Sequence, residues 1–129
     1  MAFIEDLSSK TYCHDVHRGV AAFSVGWLGN SVPSSGTVPA DVLNLLRYAA
    51  QAHYYEDGLL GCHVCEICGE AEFHGEFWLE FFDRSAGIQV RFVLPTGIIH
   101  YIEQHGYCPP AEFLEAVAPV AKSFAEGSV

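Results

Sequence analysis

A chain of 129 residues with six basic and sixteen acidic side chains carries a formal charge of −10, which disfavours phosphate backbones and anionic membranes as partners, because binding there depends on neutralising negative charge. Half of the residues are apolar and 13% are aromatic, which excludes a disordered chain, and no apolar run approaches the ~20 residues of a membrane span. The length fits one domain, residues 1–129, able to bury roughly two-thirds of its unfolded surface without staples.

The first residues, Met-Ala-Phe-Ile-Glu-Asp, lack a basic region followed by a long apolar run, so a secretory leader is not expected and the protein reads as cytoplasmic with reduced thiols. Phe3, Ile4 and Leu7 are the anchors of this acidic opening. Cys13, His14 and His17 then form a small group of potential ligands, although histidines in short loops are more often ordinary polar groups. Residues 19–28 are apolar on both faces and bounded by glycine, the pattern of a buried strand. A Ser-, Gly- and Pro-rich loop covers residues 29–39. Pro39-Ala40-Asp41 opens a helix whose buried face is Val42, Leu45, Leu46 and Ala49, fading near Ala52 and His53.

Residues 61–69 read Gly-Cys-His-Val-Cys-Glu-Ile-Cys-Gly and hold three of the five cysteines. Thiolate sulfur and imidazole nitrogen are the usual donors to zinc, which takes four in a tetrahedron. Cys65-Glu66-Ile67-Cys68 is a C-x-x-C step, in which a tight turn aims both thiols at one point and Gly69 supplies a positive φ. In extended backbone His63 and Cys65 leave the same face, with Cys62 and Val64 opposite. That parity favours His63, Cys65 and Cys68, whereas a turn beginning at Cys62 would put Cys62 in place of His63. Disulfides fit an odd cysteine count poorly. A redox C-x-x-C normally opens a helix after a strand, but glycine and acidic residues follow this one. Buried inert thiols remain the plain alternative to a metal.

Downstream, residues 76–82 and 88–94 are rich in aromatic and β-branched side chains and read as strands joined by a hairpin loop at 83–87. Ile88, Val90, Phe92 and Leu94 share one face and Gln89, Arg91 and Val93 the other, which predicts a sheet wetted on one side. Pro95-Thr96-Gly97 breaks the strand, and residues 98–105 form a short helix ended by Gly106 as a C-cap residue. Pro109-Pro110 opens a last helix with Phe113, Val117 and Val120 on its inner stripe, which Pro119 kinks or ends.

The knuckle offers three donors, so the fourth comes from elsewhere or from water. His100 and His105 are about 140° apart around a helix of 3.6 residues per turn, which argues against a shared metal. His100, in an apolar setting that often marks a hydrogen-bonded core histidine, is the expected fourth ligand, and His105 is expected to bond the helix-terminal carbonyls.

At this point the chain resembles a group of small bacterial proteins, of actinobacterial and soil-bacterial type, without an assigned activity. The matching pieces are Val25-Gly26-Trp27-Leu28, Gly36 ahead of a helix, and Gly61-x-His63-x-Cys65-x-x-Cys68. They continue with Pro95 ahead of Ile99-His100-Tyr101-Ile102, and His105-Gly106-Tyr107-x-Pro109-Pro110-x-Glu112-Phe113. The resemblance implies an arrangement and no reaction. It supports His63, Cys65, Cys68 and His100 as the metal set and leaves Cys13, Cys62 and Cys108 outside the motif.

The expectation is therefore an α+β domain, a small, mostly antiparallel sheet packed by about three helices, with Zn2+ joining the knuckle to the helix of His100. Two functions follow. A closed Cys2His2 site leaves no open coordination position and defines a binding or interaction domain, an accessory subunit or an immunity-type protein. An open His-Cys-Cys-water site, of the kind zinc deaminases and alcohol dehydrogenases use, would need Glu66, Glu72 or Glu76 as a general base. Against the second reading, the deaminase signature, an H-E-x-x-H helix and a glycine-rich phosphate loop are all missing from the sequence.

Overall fold

The computed structural model describes residues 3–11, 16–55 and 62–127. Its elements run β1 (Ala21–Ser24), α1 (Ala40–Ala52), β2 (Cys62–Val64), β3 (Glu72–His74), β4 (Glu76–Asp83), β5 (Ile88–Pro95), α2 (Ile98–His105) and α3 (Ala111–Ala125). This is the expected α+β arrangement. A three-stranded sheet has the order β1-β5-β4, with β4 antiparallel and β1 parallel to β5, and a separate antiparallel hairpin joins β2 to β3.

The period-2 pattern of β5 sets which side meets the helices. Phe92 and Leu94 turn into the main core with Phe77 from β4, where they meet Val42, Leu45, Leu46 and Ala49 of α1 and Phe113, Val117 and Ala121 of α3. Phe92 packs edge-on against Phe113 with ring centroids 5.2 Å apart. On α3 the inner stripe passes through Ala121, with Val120 half-buried at its margin. The helix runs through Pro119 to Ala125 without ending there. Pro119 and Glu115 are both exposed, on the side of the helix where water can replace the missing helical donor, which lowers the cost of a proline inside the helix.

The opposite side of the sheet is drier than the alternation predicts. Val93 is fully buried there with Trp27 and Ala22 in a second apolar cluster, flanked by Ile4 and Trp78. Trp27 donates its indole N–H to the Val93 carbonyl at 3.0 Å. The opening segment lies beside β1, with Leu7 N–H bonding the Ser24 carbonyl and Ser24 N–H bonding the Ser8 carbonyl. An edge that would otherwise present unpaired backbone groups is thereby occupied. His17 also lies on this side, buried, and donates from Nε2 to the Glu76 carboxylate at 2.7 Å. It is thus bound into the sheet, while Cys13 and His14, its companions in the first ligand group, fall outside the described residues.

Two further contacts fix the path around α2. Gly26 has φ +85°, and a side chain there would press on Ile98 Cδ1 at 2.7 Å. The Gly26 N–H bonds Asp6 Oδ1, and the buried Tyr107 hydroxyl donates to Asp6 Oδ2 at 2.8 Å. Burial raises the Asp6 carboxyl above its ordinary range, against the lowering effect of those two bonds, and burial raises the Tyr107 hydroxyl likewise. A carboxyl with a raised folded-state pKa favours folding while protonated, and that contribution is lost as pH rises through the folded pKa. An Asp6→Asn variant keeps an acceptor for Gly26 and cannot ionise. Urea unfolding from acid to neutral pH should therefore show the variant gaining stability relative to wild type, with the gain levelling off once Asp6 has ionised.

Candidate metal centre

The C-x-x-C step forms a closed turn immediately after β2. Cys65 donates its N–H to the Ala71 carbonyl at 2.9 Å, and its own carbonyl accepts from Gly69 N–H at 2.8 Å. Gly69 has φ +70°, the left-handed value that glycine adopts without a Cβ penalty. The β2 parity is as expected: His63 and Cys65 are buried and Val64 is exposed.

The hairpin docks on α2 through Phe73. A Cβ on Gly97 would lie 2.4 Å from the Phe73 ring, so only glycine lets the ring lie this close to the first turn of α2. From there Phe73 contacts the rings of His100 and Tyr101 at 5.3 and 5.6 Å. Thr96 adds a hydroxyl bond to the His74 carbonyl at 2.7 Å. A Gly97→Ala substitution is expected to expel Phe73 and lower stability by about 1–3 kcal/mol, the usual cost of overpacking. Thermal melts, together with metal content, would register both consequences.

These contacts bring Cys65, Cys68, His100 and His105 to one point, their donor atoms all within 4.8 Å of one another. Cys65 Sγ lies 3.5 Å from His105 Nε2, Cys68 Sγ 3.5 Å from His100 Nε2, and the two Nε2 atoms are 3.2 Å apart. Tetrahedral zinc with bonds of about 2.3 Å to sulfur and about 2.0–2.1 Å to nitrogen separates donors by about 3.6 Å for sulfur–nitrogen and about 3.3 Å for nitrogen–nitrogen. These three spacings fit edges of such a tetrahedron. Four donor atoms this close together could hold one metal ion. Burial and the neighbouring His105 hold His100 below the ordinary imidazole range, toward the neutral form that metal coordination requires. Cys65 is fully buried, Cys68 is exposed, and the two histidines are half-buried, so the cluster lies at the surface with its inner sulfur in the core.

Of the four residues expected from the sequence, the structure brings Cys65, Cys68 and His100 together and sets His63 apart. His63 Nε2 is hydrogen-bonded to the Tyr101 hydroxyl at 2.8 Å, and burial lowers its pKa. The fourth position of the group belongs to His105. The helical-wheel argument against a shared metal fails because it compares Cα–Cβ directions. An imidazole Nε2 lies well beyond Cβ, and at the last residue of α2 the ring of His105 turns back to within 4.9 Å of the His100 ring centroid. Instead of bonding the helix-terminal carbonyls, it faces Cys65. A usable signal was present in the sequence: two histidines bracketing a short helix that ends at Gly106, with a two-thiol turn in need of partners. The Cys62 side chain lies outside the described residues. Among the carboxylates considered as general bases, Glu66 and Glu72 are exposed, and Glu76 is buried against His17.

Fold and cluster together define a small α+β domain with a candidate Cys/His metal centre clamping a hairpin turn to a helix. The chain belongs to a domain family of unknown function, DUF7919, whose model matches residues 2–118. No curated protein and no solved structure matches it. Among the described residues no helix is long and apolar enough to cross a membrane.

Proposed function

We propose that Cys65, Cys68, His100 and His105 hold one Zn2+ in a closed structural site, and that the protein is a cytoplasmic, metal-stabilised interaction domain whose partner is another protein. The observation that carries this reading is the match between the donor spacings and a zinc tetrahedron. Bound zinc supplies folding free energy by crosslinking, and the chain's own residues determine what it crosslinks. The turn at 65–69 contributes two sulfurs, α2 contributes two nitrogens, and Phe73 keys one onto the other. Four protein donors leave no place for an activated water, which favours the structural role over the open-site enzyme. The net charge of −10 points to protein partners and away from nucleic acid, and an accessory or immunity-type role fits a compact acidic chain.

The test is metal content by native mass spectrometry of the reduced protein, followed by cobalt substitution. About one metal per chain is expected, with the intense charge-transfer absorption of thiolate-bound tetrahedral cobalt. His100→Ala and His105→Ala should each release the metal. A reduced protein that carries no stoichiometric metal and stays equally stable in chelator would overturn the reading. Retention of zinc by His105→Ala alongside its loss from His63→Ala would return His63 to the ligand set.

A further inference from the structure

We propose that Cys65 and Cys68 form a reversible thiol-oxidation site, at which a peroxide closes a disulfide and expels the metal; this rests on the metal reading above. The two sulfurs differ sharply in access. Cys68 is exposed and Cys65 is fully buried, yet their Sγ atoms lie within 4.8 Å of each other. An exposed thiolate meets the oxidant first, and a neighbouring buried thiolate then resolves the product.

The first step is attack of the Cys68 sulfur on one oxygen of hydrogen peroxide. An S–O bond forms, the O–O bond breaks, and hydroxide leaves, giving a sulfenic acid. The Cys65 sulfur then attacks Cys68 Sγ, the S–S bond forms, the S–O bond breaks, and a second hydroxide leaves. Two thiolates are oxidised by two electrons in total, the peroxide is reduced, and zinc keeps its charge throughout. Disulfide sulfur is no longer an anionic donor, so only His100 and His105 remain, too few to retain the ion.

The surroundings allow this to be reversible. The turn keeps its own backbone bonds, Cys65 to Ala71 and Gly69 to Cys65. The hairpin remains attached to α2 through Phe73 and through the His63–Tyr101 bond. Neither depends on the metal, so a dithiol reductant can regenerate both thiolates in a framework still able to bind zinc again. Cys108 is placed apart from the cluster, half-buried beside Gly36 and the Pro109 carbonyl, and serves as the internal control.

The experiment uses the full-length, reduced protein loaded with zinc and treated with hydrogen peroxide. Released zinc is followed with a chromogenic indicator, and thiols are mapped by alkylation and peptide mass spectrometry. Loss of about one zinc per chain is expected, in step with a Cys65–Cys68 disulfide, with full recovery on adding dithiothreitol and zinc. Cys108→Ser should respond as wild type does. Zinc-loaded protein that keeps its metal and both thiols through the treatment would overturn this inference alone. So would metal release accompanied by a disulfide to any other cysteine. Reduced protein that never takes up zinc would overturn the metal reading and this inference together.

Discussion

Cys65→Ala is expected to abolish stoichiometric zinc binding and to leave a protein that melts at the same lower temperature with or without added metal. Cys65 is the fully buried donor of the cluster, and its Sγ is the partner of His105 at 3.5 Å. Loss of an outer-shell partner commonly costs about 10–100-fold in metal affinity, so loss of a direct thiolate should cost more than about 100-fold. At saturating metal a 100-fold loss removes about 2.7 kcal/mol of linked stability. The main core extends well beyond the cluster, because Cys65 is one member of a buried set that also holds Phe77, Leu94, Leu46, Phe113 and Val117. Residual structure is therefore expected in the variant, unlike a zinc-finger peptide, where the metal supplies nearly all of the folding energy. Calorimetric scans with zinc and with chelator, compared between wild type and variant, measure the difference. His63→Phe is the informative control: it removes one hydrogen bond to Tyr101, worth about 1 kcal/mol, and should keep one zinc per chain. A Cys65→Ala protein whose melting still rises on adding zinc would sink the assignment.

The fold was legible where one periodicity dominated. Alternation in β5 and the helical stripes of α1 and α3 point to the side that each element buries, and Gly106, with φ +68°, closes α2 where a C-cap glycine was expected. What the pattern could not convey was long-range cover. The polar-looking face of the sheet contains Arg91 and Gln89, yet its inner end is sealed by Trp27 and by the opening residues, contacts separated by more than sixty positions in the case of Trp27 and Val93. The candidate site divides in the same way. Strand parity put His63 and Cys65 on one face, as they are, but parity says nothing of whether an imidazole on that face reaches a sulfur or a tyrosine hydroxyl. Nor does a helical wheel include the reach of two imidazoles. Both are side-chain facts fixed by tertiary packing, here by Phe73 lying against Gly97.

That tertiary logic also predicts that Glu76→Ala will be among the most damaging single changes away from the cluster, lowering stability by about 1–3 kcal/mol, the usual cost of leaving a buried donor without its partner. Glu76 is an acidic residue with no exposed surface, at the start of β4, and its backbone pairs in both directions with Tyr55. Its Oε2 meets His17 Nε2 at 2.7 Å. On the far side of that ring, Arg91 Nη1 lies 2.9 Å from Nδ1 and 3.2 Å from the Val16 carbonyl. A guanidinium can only donate, so Nδ1 is the acceptor, and the proton of the neutral imidazole must be on Nε2, directed at the carboxylate. The ring thus links a buried carboxyl to a guanidinium that also lies over the face of Trp78, 5.0 Å from its centroid. Glu76→Gln preserves an acceptor for Nε2–H, so its cost should be smaller than that of Glu76→Ala. Urea denaturation of the two variants, with zinc content measured in parallel, separates this network from the metal centre. Both variants should keep one zinc per chain. If Glu76→Ala proved as stable as wild type, the buried carboxylate would not be what ties His17 and Arg91 to the sheet.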